Sequence, residues 1–172
     1  MKYDGLQDLE VKIRALIVDP NSGSPVLVLK DINSEEMVPI WVGACEANAI
    51  ASAIENISSP RPMTHDLLKN LVNQVNLIVK RVVITELKEN TYFSTIEMVS
   101  ISDEMVYLDA RPSDAIALAL RCASPIYVRR EILSSSAKAF SDADSDEDEL
   151  SLNKTGDDWP ELLDDNNEGL PM

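Results

Sequence analysis

Apolar and polar residues alternate through much of the first 42 residues of the chain. The alternation begins at Val11, breaks at the turn-forming sequence Pro20–Gly23, and is followed by two shorter apolar runs. A period of two residues is the pattern of a β-strand that buries one face, and a short apolar run between turns is typical of a buried strand. The pattern therefore predicts three strands, over 11–17, 26–29 and 38–42.

Further along the chain, apolar residues recur at intervals of three and four, which is typical of a helix with one apolar face. This spacing predicts helices from near Gly43 to Asn56, from Thr64 to Gln74 and from Pro112 to about Cys122. The third helix is apolar on nearly every side, so we expect it to be buried. Four more strands are predicted over 78–87, 92–101, 105–109 and 125–128.

The order of these elements repeats along the chain. A shift of 68 residues places Glu46–Ala53 over Asp114–Arg121, and three predicted strands precede each of the two segments. This order indicates a tandem of two β-β-β-α units, although alanine-rich helices also resemble one another without any duplication. We expect a single compact α+β domain over residues 1–133 with a mostly antiparallel sheet.

The acidic charge is concentrated at the C-terminal end of the chain. Residues 1–133 hold 13 basic and 18 acidic residues, whereas residues 134–172 hold 2 basic and 12 acidic residues. A segment this polar and self-repelling is expected to be a largely disordered tail. Trp159, Leu162 and Leu163 could dock a protein partner, or the tail could simply keep the protein soluble. It could also fold back and restrain access of nucleic acid to the domain.

Composition excludes several classes of protein. Two cysteines and one histidine are too few for a disulfide framework, a zinc finger or a zinc hydrolase with paired histidines. No hydrophobic targeting segment opens the chain, and no apolar run reaches the roughly 18 residues of a membrane span. We therefore expect a cytoplasmic protein with no membrane partner and no organic cofactor.

Polar residues cluster where the predicted helices start. Glu46, Asp66 and Asp114 each fall in a first turn, where an acid favourably meets the positive end of the helix dipole. The sequences Pro60–Asp66 and Asp109–Asp114 also share an order: Arg-Pro, then a hydroxyl residue, then an acid. A purely structural interpretation of this order remains open. Hydroxyl residues can cap helices, and arginines can pair with nearby acids.

The same residues also suit phosphate chemistry. A helix start with a fork-shaped arginine can bind a phosphate, which makes Arg61 and Arg111 candidates for binding and for stabilising charge in catalysis. The first-turn acid Asp66 and the histidine beside it are the other catalytic candidates, because histidine is suited to general acid–base work. That histidine, His65, is the candidate for proton transfer. The hydroxyls of Thr64 and Ser113 are further candidates for binding phosphate. The acids Glu46, Asp109 and Asp114 are the candidates for holding Mg²⁺ or Mn²⁺.

Two aromatic residues allow two interpretations. Trp41 and Tyr92 could stack on a nucleobase, or they could lie in the core or on a face of the sheet.

Three segments of the chain closely resemble the signature blocks of the bifunctional nuclease (BFN) domain family. They are Pro39–Ala47, Pro60–Leu67 and Asp109–Ala119, and they occur in the order and at the separations of that family. The resemblance covers residues 11–133. It implies a compact α+β domain and an ability to degrade both DNA and RNA.

Two functional hypotheses follow. The first is a nuclease of broad substrate range, with DNA or RNA as substrate, assisted by Mg²⁺ or Mn²⁺ and with its site between the two Arg-Pro sequences. The second is a regulatory module without catalysis that binds a phosphorylated ligand or a protein partner through the same arginines. In either case the exposed edges of the sheet could pair two copies of the chain into a homodimer.

Overall fold

The computed structural model describes residues 8–134, which form seven strands, three long helices and a short helical segment at 130–134. The strands are β1 (Asp8–Val18), β2 (Pro25–Asp31), β3 (Met37–Trp41), β4 (Leu77–Lys88), β5 (Thr91–Ser100), β6 (Met105–Ala110) and β7 (Ile126–Arg129). The helices are α1 (Ala44–Ile54), α2 (Thr64–Gln74) and α3 (Pro112–Cys122). The predicted α+β class is confirmed. Of the tail predicted over residues 134–172, all but Ser134 lies outside the described residues.

All seven strands belong to one sheet, in the order β3-β2-β1-β7-β4-β5-β6. Each half of the sheet is a three-stranded antiparallel meander followed by a helix, β1–β2–β3–α1 and β4–β5–β6–α3, which agrees with the predicted β-β-β-α pattern. Strands β3 and β6 form the two edges of the sheet. A homodimer built on these edges stays a prediction.

The short strand β7 joins the two halves of the sheet. It pairs antiparallel with β1, where Leu9 lies opposite Val128, and parallel with β4, where Val83 lies opposite Tyr127. A parallel pair needs a long connection, and β5, β6 and α3 together supply it. Within residues 8–134 the last strand in sequence therefore lies in the middle of the sheet.

Helix α3 lies at the centre of the core. It packs against α1, α2, β4 and β5, and its residues 115–119 are all fully buried. Three of these five residues are alanines, whose small side chains allow neighbouring helices to approach closely. This burial confirms the expectation from an apolar surface on nearly every side. None of the helices within residues 8–134 is long and apolar enough to cross a membrane.

Candidate active site

Three helices begin beside one another, and each contributes an acid from its first turn. Glu46, Asp66 and Asp114 are the third residues of α1, α2 and α3, as predicted. All three line a cavity of about 410 Å³, together with His65 and Arg111. We call this space the acid–histidine cavity. It forms because α3 packs between the other two helices and brings their first turns together.

Arg111 links two of the acids. Its Nε donates a hydrogen bond to Oδ2 of Asp114 at 2.8 Å, and one Nη lies 3.0 Å from Oε1 of Glu46. The bond to Asp114 is the main reason that the pKa of Arg111 lies above its ordinary value. The side chain is 67% exposed, and a guanidinium has five N–H donors, more than these two contacts use. Arg111 can therefore still bind an incoming anion.

His65 contacts the other oxygen of Asp114. Its Nε2 lies 3.1 Å from Oδ1. Burial acts to raise the pKa of Asp114, but hydrogen bonds from Arg111 and His65 outweigh burial and hold that pKa below its usual value. Because an ionised carboxylate only accepts hydrogen bonds, Nε2 is the ring nitrogen that carries the proton. In the neutral imidazole, Nδ1 then holds the lone pair and is the atom able to accept a proton.

Asp66 has a different partner, which the sequence analysis did not identify. Its Oδ1 accepts a hydrogen bond of 2.6 Å from Nε of Arg121, and this bond is the largest of the causes that lower the pKa of Asp66. An Nη of Arg121 also donates to the backbone carbonyls of Ala49 and Ala117. Arg121 thus ties the start of α2 and the middle of α1 to α3. The one signal in the sequence was a lone arginine in a buried helix, which requires partners.

The hydroxyl residues do not occupy the capping positions suggested by the sequence. The residues that precede the first turns of α2 and α3 are Met63 and Arg111, so Thr64 and Ser113 lie inside the helices. The Met63 N–H donates instead to Oδ2 of Asp66 at 3.0 Å. Thr64 lines the acid–histidine cavity, whereas Ser113 is buried and lines a neighbouring cavity.

Two candidate residues lie apart from this group. Arg61 is exposed on the segment before α2, and Asp109 is exposed on β6. Neither residue lines the acid–histidine cavity in the described part of the chain. The structure therefore brings together six of the nine candidates named for phosphate, proton and metal chemistry around the starts of three helices, and Ser113 lines the neighbouring cavity.

A second cavity of about 330 Å³ adjoins the first and shares Arg111 with it. Trp41, at the end of β3, and Tyr92, at the start of β5, line its walls. We call it the tryptophan cavity. Trp41 is 58% exposed, which excludes the interpretation of this residue as part of the core.

Two of the acids predicted to hold a divalent cation pair with Arg111 in this structure. Glu46 and Asp114 offer the oxygen ligands that Mg²⁺ prefers, but both carboxylates are engaged by Arg111. Across residues 8–134, no group of three or more His, Cys, Asp and Glu side chains is placed to hold a metal ion.

Comparison with known proteins gives the family. The family model of the bifunctional nuclease domain matches residues 27–141. An uncharacterised protein of Mycobacterium tuberculosis is 37% identical over 139 residues, which are 81% of this chain and 82% of that protein.

Plant relatives match over a shorter region. Bifunctional nuclease 1 of Oryza sativa is 35% identical over 109 residues, and Bifunctional nuclease 1 of Arabidopsis thaliana is 30% identical over 109 residues. These regions are 62% of this chain but only 33% and 34% of the plant proteins, so the chain spans about a third of their length. Since the family model covers more than half of the chain and confirms the resemblance of its three sequence blocks, the chain belongs to the bifunctional nuclease domain family.

Proposed function

We propose that the chain is a nuclease that hydrolyses phosphodiester bonds of DNA and RNA at the acid–histidine cavity. The observation that carries the proposal is the continuous contact from Arg111 through Asp114 to His65 at the start of α3. An anion-binding cation and a proton acceptor are thereby fixed beside one another. Membership of the bifunctional nuclease domain family supports the reaction type, as do the names of the plant relatives.

Arg111 binds the phosphate and stabilises the charge that develops on it. Its exposed guanidinium has N–H donors in a planar fork that matches phosphate oxygens. Because Glu46 and Asp114 hold the guanidinium from two sides, little reorientation is needed when the phosphate binds. In other enzymes, removal of one such prearranged donor lowers the rate of the chemical step by about 10²- to 10³-fold.

His65 accepts one proton of the attacking water while the water oxygen bonds to phosphorus. The bond from phosphorus to the leaving sugar oxygen breaks, and that oxygen takes a proton from solvent. Asp114 holds Nε2 and favours the tautomer in which Nδ1 is the acceptor. The side chain is only 12% exposed, so the surrounding helices restrict its orientation. Positioned general bases contribute roughly 10²- to 10⁴-fold to catalysis. Asp66 acts through Arg121 as a positioning residue for the start of α2.

The backbone phosphate is the part of the substrate that this site recognises. Phosphate contacts carry no base sequence, so a site of this kind accepts both DNA and RNA. Assistance by Mg²⁺ or Mn²⁺ stays a hypothesis, and none of the steps above uses a cation.

The test is cleavage of labelled DNA and RNA by the full chain, purified in parallel as wild type, Arg111→Ala and Arg14→Ala. Arg14 is exposed on β1 and lines neither of the two cavities, so it controls for charge and for contaminating nucleases. Each protein is assayed with Mg²⁺, with Mn²⁺ and with EDTA. Cleavage by wild type and Arg14→Ala that falls at least tenfold in Arg111→Ala supports the proposal. Equal cleavage by all three proteins contradicts it.

A binding module without catalysis is the second candidate, and one observation favours it. Both arginines of the acid–histidine cavity already pair with carboxylates, which is the state expected of a site that exchanges one acidic group for another. Phosphate-dependent protection of the wild type against thermal unfolding, with no cleavage under any condition above, would favour this candidate.

A further inference from the structure

Trp41 presents an aromatic face to solvent at the end of an edge strand. Its side chain is 58% exposed, and it forms one wall of the tryptophan cavity. An exposed tryptophan face is a stacking platform for a nucleobase, because every base has a π-face.

The side chain of Trp41 lies near Asp19, in the turn after β1. The pKa of Asp19 lies below its ordinary value mainly because of Ser22 and Asn21, and Trp41 contributes least. Asp19 is itself fixed, since it accepts hydrogen bonds from the hydroxyl of Ser22 and the backbone N–H of Asn21. Trp41 therefore adjoins a turn that is ordered by its own hydrogen bonds.

The cavity is also lined by residues at the connection between β4 and β5. Asn90 lies in the tight turn, and Thr91 and Tyr92 are the first two residues of β5. Glu89 and Asn90 both adopt positive φ, 48° and 60°, which fixes the shape of this turn. A side-chain amide carries both donors and an acceptor, which suits the edge of a base.

Arg111 connects this cavity to the acid–histidine cavity, because it lines both. A nucleotide has a flat base at one end and an anionic phosphate at the other. The same two features, an aromatic face and a guanidinium, meet in the tryptophan cavity. Its volume of about 330 Å³ lies within the usual range of small-ligand sites.

We propose that the tryptophan cavity binds an unpaired nucleobase, stacked on Trp41, from a strand whose phosphate lies at Arg111. The substrate is then a single strand, because bases within a duplex are stacked and paired and cannot reach Trp41. This inference rests on the proposed function and deepens it by naming the form of nucleic acid that the site takes.

The test uses the fluorescence of Trp41 in the full chain. The chain has two tryptophans, so Trp159→Phe leaves Trp41 as the only one. Three probes of equal length are titrated at low salt with EDTA: single-stranded DNA, duplex DNA, and a strand of abasic sites. We expect the single strand to quench Trp41 and the other two to leave its emission nearly unchanged.

Affinity is measured in parallel by anisotropy of labelled probes. Trp41→Ala should weaken binding of the single strand about 5- to 150-fold, which corresponds to the stacking free energy of one base. Trp41→Phe should retain most of the affinity, and neither variant should alter binding of the abasic strand. Because position 41 is exposed, these variants are expected to fold, and circular dichroism checks this.

Three results with these probes would overturn the proposal: unchanged affinity of Trp41→Ala for the single strand, equal quenching by the abasic strand, or equal quenching by the duplex. A mononucleotide, titrated as a further probe, would also overturn it if it bound as tightly as the strand. The last would indicate a site for free nucleotides. These measurements need no hydrolysis. Quenching of Trp41 without cleavage of nucleic acid would therefore contradict only the proposed function. Cleavage together with unchanged binding by Trp41→Ala would contradict only the proposed base site.

Discussion

Among single residues, Asp66 and Arg121 connect the candidate site to the stability of the fold. The pKa of Asp66 lies below its ordinary value because Arg121 and the backbone N–H of Met63 donate hydrogen bonds to it. A lowered pKa means that the folded state favours the ionised form. The resulting stability is complete above the pKa of the unfolded chain, about 4, and is lost as the pH falls through the lower pKa of the folded state.

We therefore predict that Asp66→Asn lowers the free energy of unfolding by about 1 kcal/mol near neutral pH, a small value because the side chain of Asp66 is 38% exposed. The difference from wild type should vanish as the pH falls below 4. Urea unfolding between pH 7 and pH 2.5 measures it, with Asp109→Asn, an exposed acid on β6, as control. A difference that is unchanged over this range would show that Asp66 acts in some other way.

Residue identity alone predicted part of the site. The acids of the three first turns were predictable, because a dipole effect within one helix places them there. The pairing of Arg121 with Asp66 was not, since 55 residues separate the two and only the packing of α2 on α3 brings them together. The exposure of Trp41 could not be predicted from the sequence either, because an edge strand and a central strand have the same alternating pattern.

At the level of elements, a buried ion pair joins strands β4 and β5. Arg81 donates to both oxygens of Glu97, at 2.8 and 3.0 Å, and also lies 3.2 Å from Asp8 of β1. The side chains of Glu97 and Asp8 are only 8% and 3% exposed. Removal of Arg81 would leave the Glu97 carboxylate buried without this partner, which is costly.

Arg81→Ala should therefore lower the free energy of unfolding by about 3–5 kcal/mol. Lys80→Ala changes the exposed neighbour on the same strand and should stay within about 0.5 kcal/mol of wild type. Denaturant unfolding at neutral pH measures both variants. A loss below about 1 kcal/mol in Arg81→Ala would mean that Glu97 is hydrated or finds another donor.

The elements themselves were largely predictable, whereas their arrangement was not. Helix α2 was predicted over Thr64–Gln74 and has those bounds, because the helical period is a local property of the sequence. The insertion of β7 between β1 and β4 could not be read from the chain, since it depends on pairing between residues more than 40 positions apart. The position of the candidate site follows from this arrangement and not from any single motif.

For the whole molecule, charge should control access of nucleic acid. Residues 142–172 hold 12 acidic residues and one lysine, so their removal changes the formal charge of the chain from −15 to −4. A polyanionic substrate is repelled less by the shorter chain. The shortened chain keeps residues 27–141, the whole region that the family model matches.

We predict that the chain ending at residue 141 binds single-stranded DNA more tightly than the full chain at low salt. The two affinities should converge as the salt concentration rises, because screening removes the repulsion between separated charges. Anisotropy at several salt concentrations measures this, with circular dichroism to show that the shortened chain is folded. Equal affinities at low salt would exclude restraint by the acidic segment.

The central claim is that the Arg111–Asp114–His65 contact performs phosphodiester hydrolysis. The most direct measurement is the rate of cleavage of a single-stranded oligonucleotide by His65→Asn, beside wild type purified in the same way. We predict a rate at least 100-fold lower for His65→Asn, with oligonucleotide binding retained, because this variant removes the proton acceptor and leaves Arg111 in place. Cleavage by His65→Asn at the wild-type rate would contradict the account.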